Sequence, residues 1–276
     1  MPTTSRLLLP PRDLSNCIAG CILRDTRGTK LSDVERLNYF PASPLFSITL
    51  ALHWQLHVSD KISDIDTLRH LPTAGKWMIE RPKNAPFCSW SPGPVFALTI
   101  GFFPDAWQRL GGTLDGTSPS VIEPALQLLE DEVPSSASPK YLPQFWQEMS
   151  AVWHQTGDAD WAGSQLLTDW VRHLSLKLAH SGSGRSLRSA QRRLQRWTGQ
   201  NQKSLNMFAK IEKLHRLSLE DPNASPAEIA ADAGFSDQSH MGRSLKRMTG
   251  FSPASLNQRV LSEESFWCYR LLGERF

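Results

Sequence analysis

Cysteine is scarce: Cys17, Cys21, Cys88 and Cys268 are the only four in 276 residues. A disulfide-stapled scaffold needs more of them in a shorter chain. Three residues separate Cys17 from Cys21, but no second pair answers them. That makes a poor zinc signal, and buried free thiols are expected instead. Long apolar runs are missing too. Leu7-Leu8-Leu9 stops at Pro10-Pro11, too short for a signal-peptide core. Residues 84–104 carry no charge, yet Pro86, Pro92 and Pro94, helped by Gly93 and Gly101, break any spanning helix there. A soluble, cytoplasmic chain with no membrane partner is expected.

No one sign of charge dominates, since the formal net charge is +3. This small value hides an asymmetry. Residues 1–180 hold 15 basic and 18 acidic side chains, a net of −3, whereas residues 181–276 hold 15 and 9, a net of +6. A basic rear half behind a near-neutral front points to a nucleic-acid partner for the rear. Hydrophobic residues at 40% and charged residues at 21% suit a packed core and argue against wholesale disorder. The length suits one large domain or two ordinary ones.

The front reads as β-rich. From Phe46 to Val58, Ile48, Leu50, Leu52, Trp54, Leu56 and Val58 share one parity, and Ser47, Thr49, Ala51, His53, Gln55 and His57 the other. Such alternation predicts one long strand with an apolar and a polar face. Val95–Phe103 is apolar on both parities, as in a strand covered on both sides. Prolines between these runs mark turns, and a sandwich or small barrel up to about residue 103 fits.

Helices follow. Pro104-Asp105 opens a short one, closed at Gly111-Gly112. Ser120 and Glu123 have capping-box spacing, which predicts a helix running to about Val133. Residues 134–140 read as a linker. Helical stretches near 143–155 and 160–180 carry Trp146, Trp153, Trp161 and Trp170. Ser181–Gly184 reads as a break. The expected division is a front sensor region at 1–133, a helical linker or dimerisation region at 134–180, and a DNA-binding domain at 181–276.

The rear contains a repeat. Arg192-Arg193-Leu194-Gln195-Arg196-Trp197-Thr198-Gly199 returns as Arg243-Ser244-Leu245-Lys246-Arg247-Met248-Thr249-Gly250, with five of eight positions identical at an offset of 51. Ahead of the second copy, Ser225-Pro226-Ala227-Glu228 supplies an N-cap, a first-turn proline and a capping glutamate. Ile229, Ala230 and Ala233 offer a small apolar face, Gly234 a left-handed turn, and Phe235 a plug. Ser236 or Asp237 caps the next helix, whose Met241, Leu245 and Met248 face inward. In the first copy Ser186 is the expected cap, with Leu187, Ala190, Leu194 and Trp197 as the buried stripe. Short helix, glycine turn and basic helix make a helix-turn-helix pattern. Residues 185–216 hold nine basic residues and one acid, Glu212. A solvated helix face is the bland account of that run, and the recurrence of the same face argues against it.

Residues 181–260 resemble the DNA-binding domain of AraC/XylS transcriptional regulators. The likeness rests on Ser186-x-Arg188-x3-Arg192-x-Leu194 with Thr198-Gly199. It rests further on Ile229-Ala230-x2-Ala233-Gly234-Phe235-Ser236-Asp237-Gln238-Ser239, on Arg243-x-Leu245-Lys246, and on Gly250-Phe251-Ser252-Pro253. Leu194, Met241 and Leu245 depart from the family's frequent phenylalanine. The resemblance implies an α+β chain: a cupin-like β-rich front followed by dimerisation helices, then an all-α domain with two helix-turn-helix units. It implies double-stranded DNA as partner, a homodimer, and a small-molecule effector in the front. No cofactor, metal or catalytic residue is expected.

Base-reading positions carried over from the family are Arg188, Gln191 and Arg192 in the first unit, and Gln238, Ser239, His240 and Arg243 in the second. Arginine can bridge O6 and N7 of guanine, and glutamine can pair with adenine. Arg193, Arg196, Lys203, Lys246 and Arg247 suit phosphate contacts. Between the units, residues 204–218 read as a linker helix with Leu205, Phe208, Ile211 and Leu214 inward. At 1.5 Å per residue these fifteen positions span about 22 Å, enough to bring two reading helices to neighbouring major-groove segments.

Two other readings compete. His53 and His57 could hold a metal in a cupin-like enzyme guided to DNA by the rear, although no third ligand lies nearby in sequence. A DNA-alkylation repair protein would need a reactive cysteine, and none of the four sits in a basic motif. Phe266, Trp267 and Tyr269 are expected to hold a terminal helix on the DNA-binding domain, or else to meet a partner chain.

Overall fold

Alternating apolar and small polar residues build the front half as two facing sheets. The computed structural model describes residues 5–53, 55–130, 140–156, 166–181, 186–221 and 224–273. The strands are β1 (Ser5–Leu8), β2 (Ile18–Asp25), β3 (Leu37–Phe40), β4 (Phe46–His53), β5 (His57–Ser59), β6 (Trp77–Glu80), β7 (Phe87–Trp90) and β8 (Phe96–Phe102), with α1 (Ile65–Arg69) between β5 and β6. Among the described residues, one sheet has the order β1-β2-β8-β4-β6 and the other β3-β7-β5, each antiparallel.

The single long strand expected over 46–58 is two strands. β4 lies in the first sheet and β5 in the second, although the parity of apolar residues carries across the break. Trp54 lies outside the described residues. The polar face of β4 is not a solvent face. Ser47 and Thr49 point between the sheets, where the Thr49 and Thr99 hydroxyls meet at 2.9 Å. Ile48 and Leu50 bury the other face, opposite Ile100 and Leu98 of β8. β8 sits at the centre of its sheet and is mostly buried, as its unbroken apolar run requires.

Helices cover that apolar face: α2 (Pro104–Arg109), α3 (Glu123–Glu130), α4 (Leu142–Gln155) and α5 (Leu167–His180). Trp107 of α2 stacks on Phe46, ring centroids 4.8 Å apart and planes 2° from parallel. Gly112 leaves room for that indole, since a Cβ there would meet the ring. The capping box expected at Ser120 does not form. Residues Ser120–Ile122 make a 3-10 turn after Pro119, with no side-chain cap, and α3 begins at Glu123. The expected end at Val133, the linker at 134–139, Trp161 and residues 182–184 lie outside the described residues.

The rear comprises α6 (Leu187–Thr198), α7 (Gln202–Glu220), α8 (Pro226–Asp232), α9 (Gln238–Thr249), α10 (Pro253–Ser262) and α11 (Trp267–Gly273). Its core gathers Phe208, Ala230, Phe235, Met241, Leu245, Met248 and Phe266, and Ala42 of the front joins the same cluster. Leu194 and Leu205 join the core of the front sheet through α5. The expected boundary at 180/181 is therefore crossed by continuous packing. No helix among the described residues is long and apolar enough to cross a membrane.

Candidate nucleic-acid interface

Each basic helix starts on a side-chain cap and ends on the same Thr-Gly device. Ser186 Oγ accepts from Ser189 N at 3.3 Å, and Asp237 Oδ1 from His240 N at 2.6 Å. That bond, a second from Ser236 and the positive field of Arg243 hold the Asp237 carboxyl below the usual carboxylate range. Between the two offered caps, the structure uses Asp237. At the other end, Thr198 Oγ1 donates to Leu194 O at 2.8 Å and accepts from Gln200 N at 3.1 Å. Thr249 Oγ1 does the same with Leu245 O at 2.8 Å and Phe251 N at 3.2 Å. Gly199 and Gly250 then leave the helices at φ of 70° and 85°. The repeated letters are thus a repeated hydrogen-bonding pattern.

Ahead of α9 the expected local structure forms in full. Ser225 and Glu228 complete a capping box around α8, with Pro226 in its first turn. Gly234 turns at φ 85° and Phe235 is buried. Met241, Leu245 and Met248 are all buried. In α6, Leu194 is buried while Ala190 and Trp197 are half-buried.

The outward faces carry the expected donors. Arg188, Gln191, Arg192, Gln195 and Arg196 are exposed on α6, as are Gln238, Ser239, Arg243, Lys246 and Arg247 on α9. His240 is half-buried, with Nδ1 3.0 Å from Ser236 Oγ and its ring edge-on to Phe235. Arg193 departs from the exposed set. It is half-buried, and its Nη1 donates to Ser181 O at 2.6 Å, tying α6 to the end of α5.

Arg188, Gln191, Arg192 and Gln195 of α6 share one open groove of about 930 Å³ with His240 of α9. The floor between them is α7, through Gln202, Lys203, Asn206 and Lys210. Of these floor residues the sequence singled out Lys203 alone. Their signal was the spacing 202, 206, 210, one face of the linker helix. Glu212, the lone acid of the basic run, is turned away from the groove. Its two carboxylate oxygens accept from Leu167 N and Thr168 N, each at 2.7 Å, at the start of α5.

The other candidates separate. His53 ends β4 in one sheet and is exposed; His57 lies in the other, with Nδ1 2.8 Å from Leu71 O and its ring against Trp90. Among the described residues no group of three or more side chains could hold a metal ion. All four cysteines are buried free thiols. Phe266 and Tyr269 pack in the core of the rear helices, as expected. Trp267 turns the other way, toward the front half, where its indole N–H donates to Asn38 Oδ1 at 2.7 Å.

A helix-turn-helix domain family matches residues 182–259. No curated protein matches the chain. Solved structures of ToxT from Vibrio cholerae are similar. One, at 1.65 Å resolution, is 13% identical over 79% of this chain and 92% of that chain, with a TM-score of 0.38. Another, bound to an unsaturated fatty acid, is 10% identical over 79% and 93%, with a TM-score of 0.33. The family match falls on the two capped, glycine-closed units: residues 182–259 are a helix-turn-helix domain.

Proposed function

We propose that the chain is a sequence-specific transcription regulator that reads the major groove of double-stranded DNA with α6 and α9. The observation that carries this is the pair of helices with one closing device and an exposed basic face each, the α6 face and His240 of α9 lining one groove. Arg188, Gln191 and Arg192, with Gln238, Ser239, His240 and Arg243, read bases. Each good bidentate contact discriminates by about 1–3 kcal/mol. Arg196, Lys246 and Arg247 hold phosphates, which position the protein without specifying sequence. Arg193 supports α6 from behind and reaches the backbone only with the donors that Ser181 leaves over.

Selection from a random duplex pool, followed by binding titrations, tests this. Arg243→Ala is expected to weaken binding and relax preference at one base pair, and Lys246→Ala to weaken all sequences alike. Unchanged affinity in both variants would sink the assignment.

The front half is the sensor in this reading. A cavity of about 120 Å³ lies between its two sheets, walled mostly by apolar side chains such as Ile22, Phe40 and Val58, with Asn38 and Thr49 among its polar groups and Arg24 and Glu80 as its charged ones. That volume is of the order that admits a benzene-sized molecule. A small, mostly apolar effector is expected to raise the unfolding temperature. The chain acts as a cytoplasmic homodimer in the same reading, which light scattering on the purified protein checks.

A further inference from the structure

Two helices that enter successive major-groove segments on one face of a duplex leave a stretch of sugar-phosphate backbone between them. Here that stretch must cross the groove whose walls are α6 and the start of α9 and whose floor is the first half of α7. Gln202, Lys203 and Asn206 are exposed on that floor. Among the described residues no carboxylate lines the groove. Lys210 stands at the far end of the same face, where its ammonium donates to Gly234 O and lies 5.4 Å from the Phe235 ring centroid. It thereby fixes the turn of the second unit onto the floor. The two amides offer N–H donors and Lys203 a mobile positive charge, which is the chemistry that phosphate oxygens accept.

We propose that Gln202, Lys203 and Asn206 form a backbone-binding floor, holding the phosphates that pass from the segment read by α6 to the segment read by α9. This rests on the two-helix reading above and adds a third contact zone to it. The contact is indifferent to sequence, and it fixes how far apart along the duplex the two helices sit. Lys210 is a positioning residue in this scheme, because its ammonium is held within the chain by Gly234 O and the Phe235 ring.

The test uses the full chain and the duplex that it selects from a random pool. Asn206→Asp replaces a donor with a negative charge facing phosphates, and is expected to weaken binding by about tenfold or more. Lys203→Ala is expected to flatten the slope of log affinity against log salt by about one, the release of one phosphate's counterion. Neither change is expected to alter the base preference, because phosphate contacts carry none. Both side chains are exposed, so the variants fold. Wild-type affinity in Asn206→Asp, or a wild-type salt slope in Lys203→Ala, overturns the floor. So does a shifted base preference, which would mean that the floor touches base edges. A wild-type chain that selects no sequence overturns both this inference and the proposed function; one that selects normally while the variants stay indifferent overturns this inference alone.

Discussion

The main-chain carbonyls of Trp197 and Met248, which hold the same place in the two copies of the repeat, each accept a hydrogen bond from the front half of the chain. Gln108 Nε2 reaches the first at 2.6 Å, and Ala42 N reaches the second at 2.8 Å. Both carbonyls lie in the last turn of a helix, where no intrahelical partner remains. The front half therefore supplies an end-cap to each basic helix, and α7 is not the only element that sets their separation.

Gln108→Ala removes the first of these caps by a side chain and leaves the main chain alone. Trp197 O then loses its partner in a half-buried setting. Unfolding in urea is expected to show a loss of about 1 kcal/mol, the usual net worth of one such bond. The selected duplex should also tolerate one inserted base pair between its two half-sites better than it does with the wild-type chain. Equal penalties for the insertion in both proteins would show that α7 alone fixes the spacing.

The two closing glycines give a matched pair for comparison. Both sit at positive φ, where a Cβ costs about 1–2 kcal/mol. Gly199→Ala meets only Leu114, at 3.5 Å, so that backbone cost is most of what it pays. Gly250→Ala drives its Cβ into Ile62 of the front half as well. Denaturant midpoints should fall further for Gly250→Ala than for Gly199→Ala. The reverse order would contradict the docking of the second unit on Ile62.

The helical units were legible in the sequence because their signals are local. Ser225 and Glu228 cap α8 from within three residues, and Gly234 and Phe235 turn the chain at once. The front was legible as strands but not as sheets. The parity that joins Leu52 to Val58 in sequence says nothing of the break that sends β4 and β5 to different sheets. Trp267 shows the same limit. Phe266, which ends the 3-10 turn leading into α11, and Tyr269 share a face at three-residue spacing, and Trp267 at the start of α11 lies on another. The sequence separates those faces but does not say what covers the second. The structure puts the front half there: Asn38 bonds the indole, and the Arg24 guanidinium lies 4.7 Å from its centroid while pairing with Glu264 at 2.8 Å. Partners more than 200 residues apart in sequence leave no local trace in a single chain.

Glu212 is the clearest case of an outlier with a distant reason. It interrupts nine basic residues because the first N–H groups of α5 need an acceptor and Leu166, the residue before that helix, has no side-chain oxygen to offer. A carboxylate there also meets the positive end of the helix dipole. Glu212→Gln keeps the shape, but places an NH2 group against one of two N–H donors. The expected cost is about 1.5–3 kcal/mol, that of a hydrogen bond to a charged group in a buried site. Urea unfolding followed by tryptophan fluorescence measures it. A glutamine variant as stable as wild type would mean that α5 is held by its packing alone.

The thiols supply the last test, and it bears on the repair-enzyme alternative. A cysteine attacks as its thiolate, so a reactive one needs surroundings that favour negative charge. Burial does the opposite here. It pushes Cys268 up to about 12 and raises Cys17, Cys21 and Cys88 as well. Arg24 near Cys268 and Arg109 near Cys17 pull downward, but desolvation is the larger effect at both. The native chain at pH 8 is therefore expected to react slowly with a thiol reagent, and all four cysteines should react once the chain is unfolded in guanidinium. Fast stoichiometric labelling of one cysteine in the native chain would reverse this account and return the alkyl-transfer chemistry to consideration.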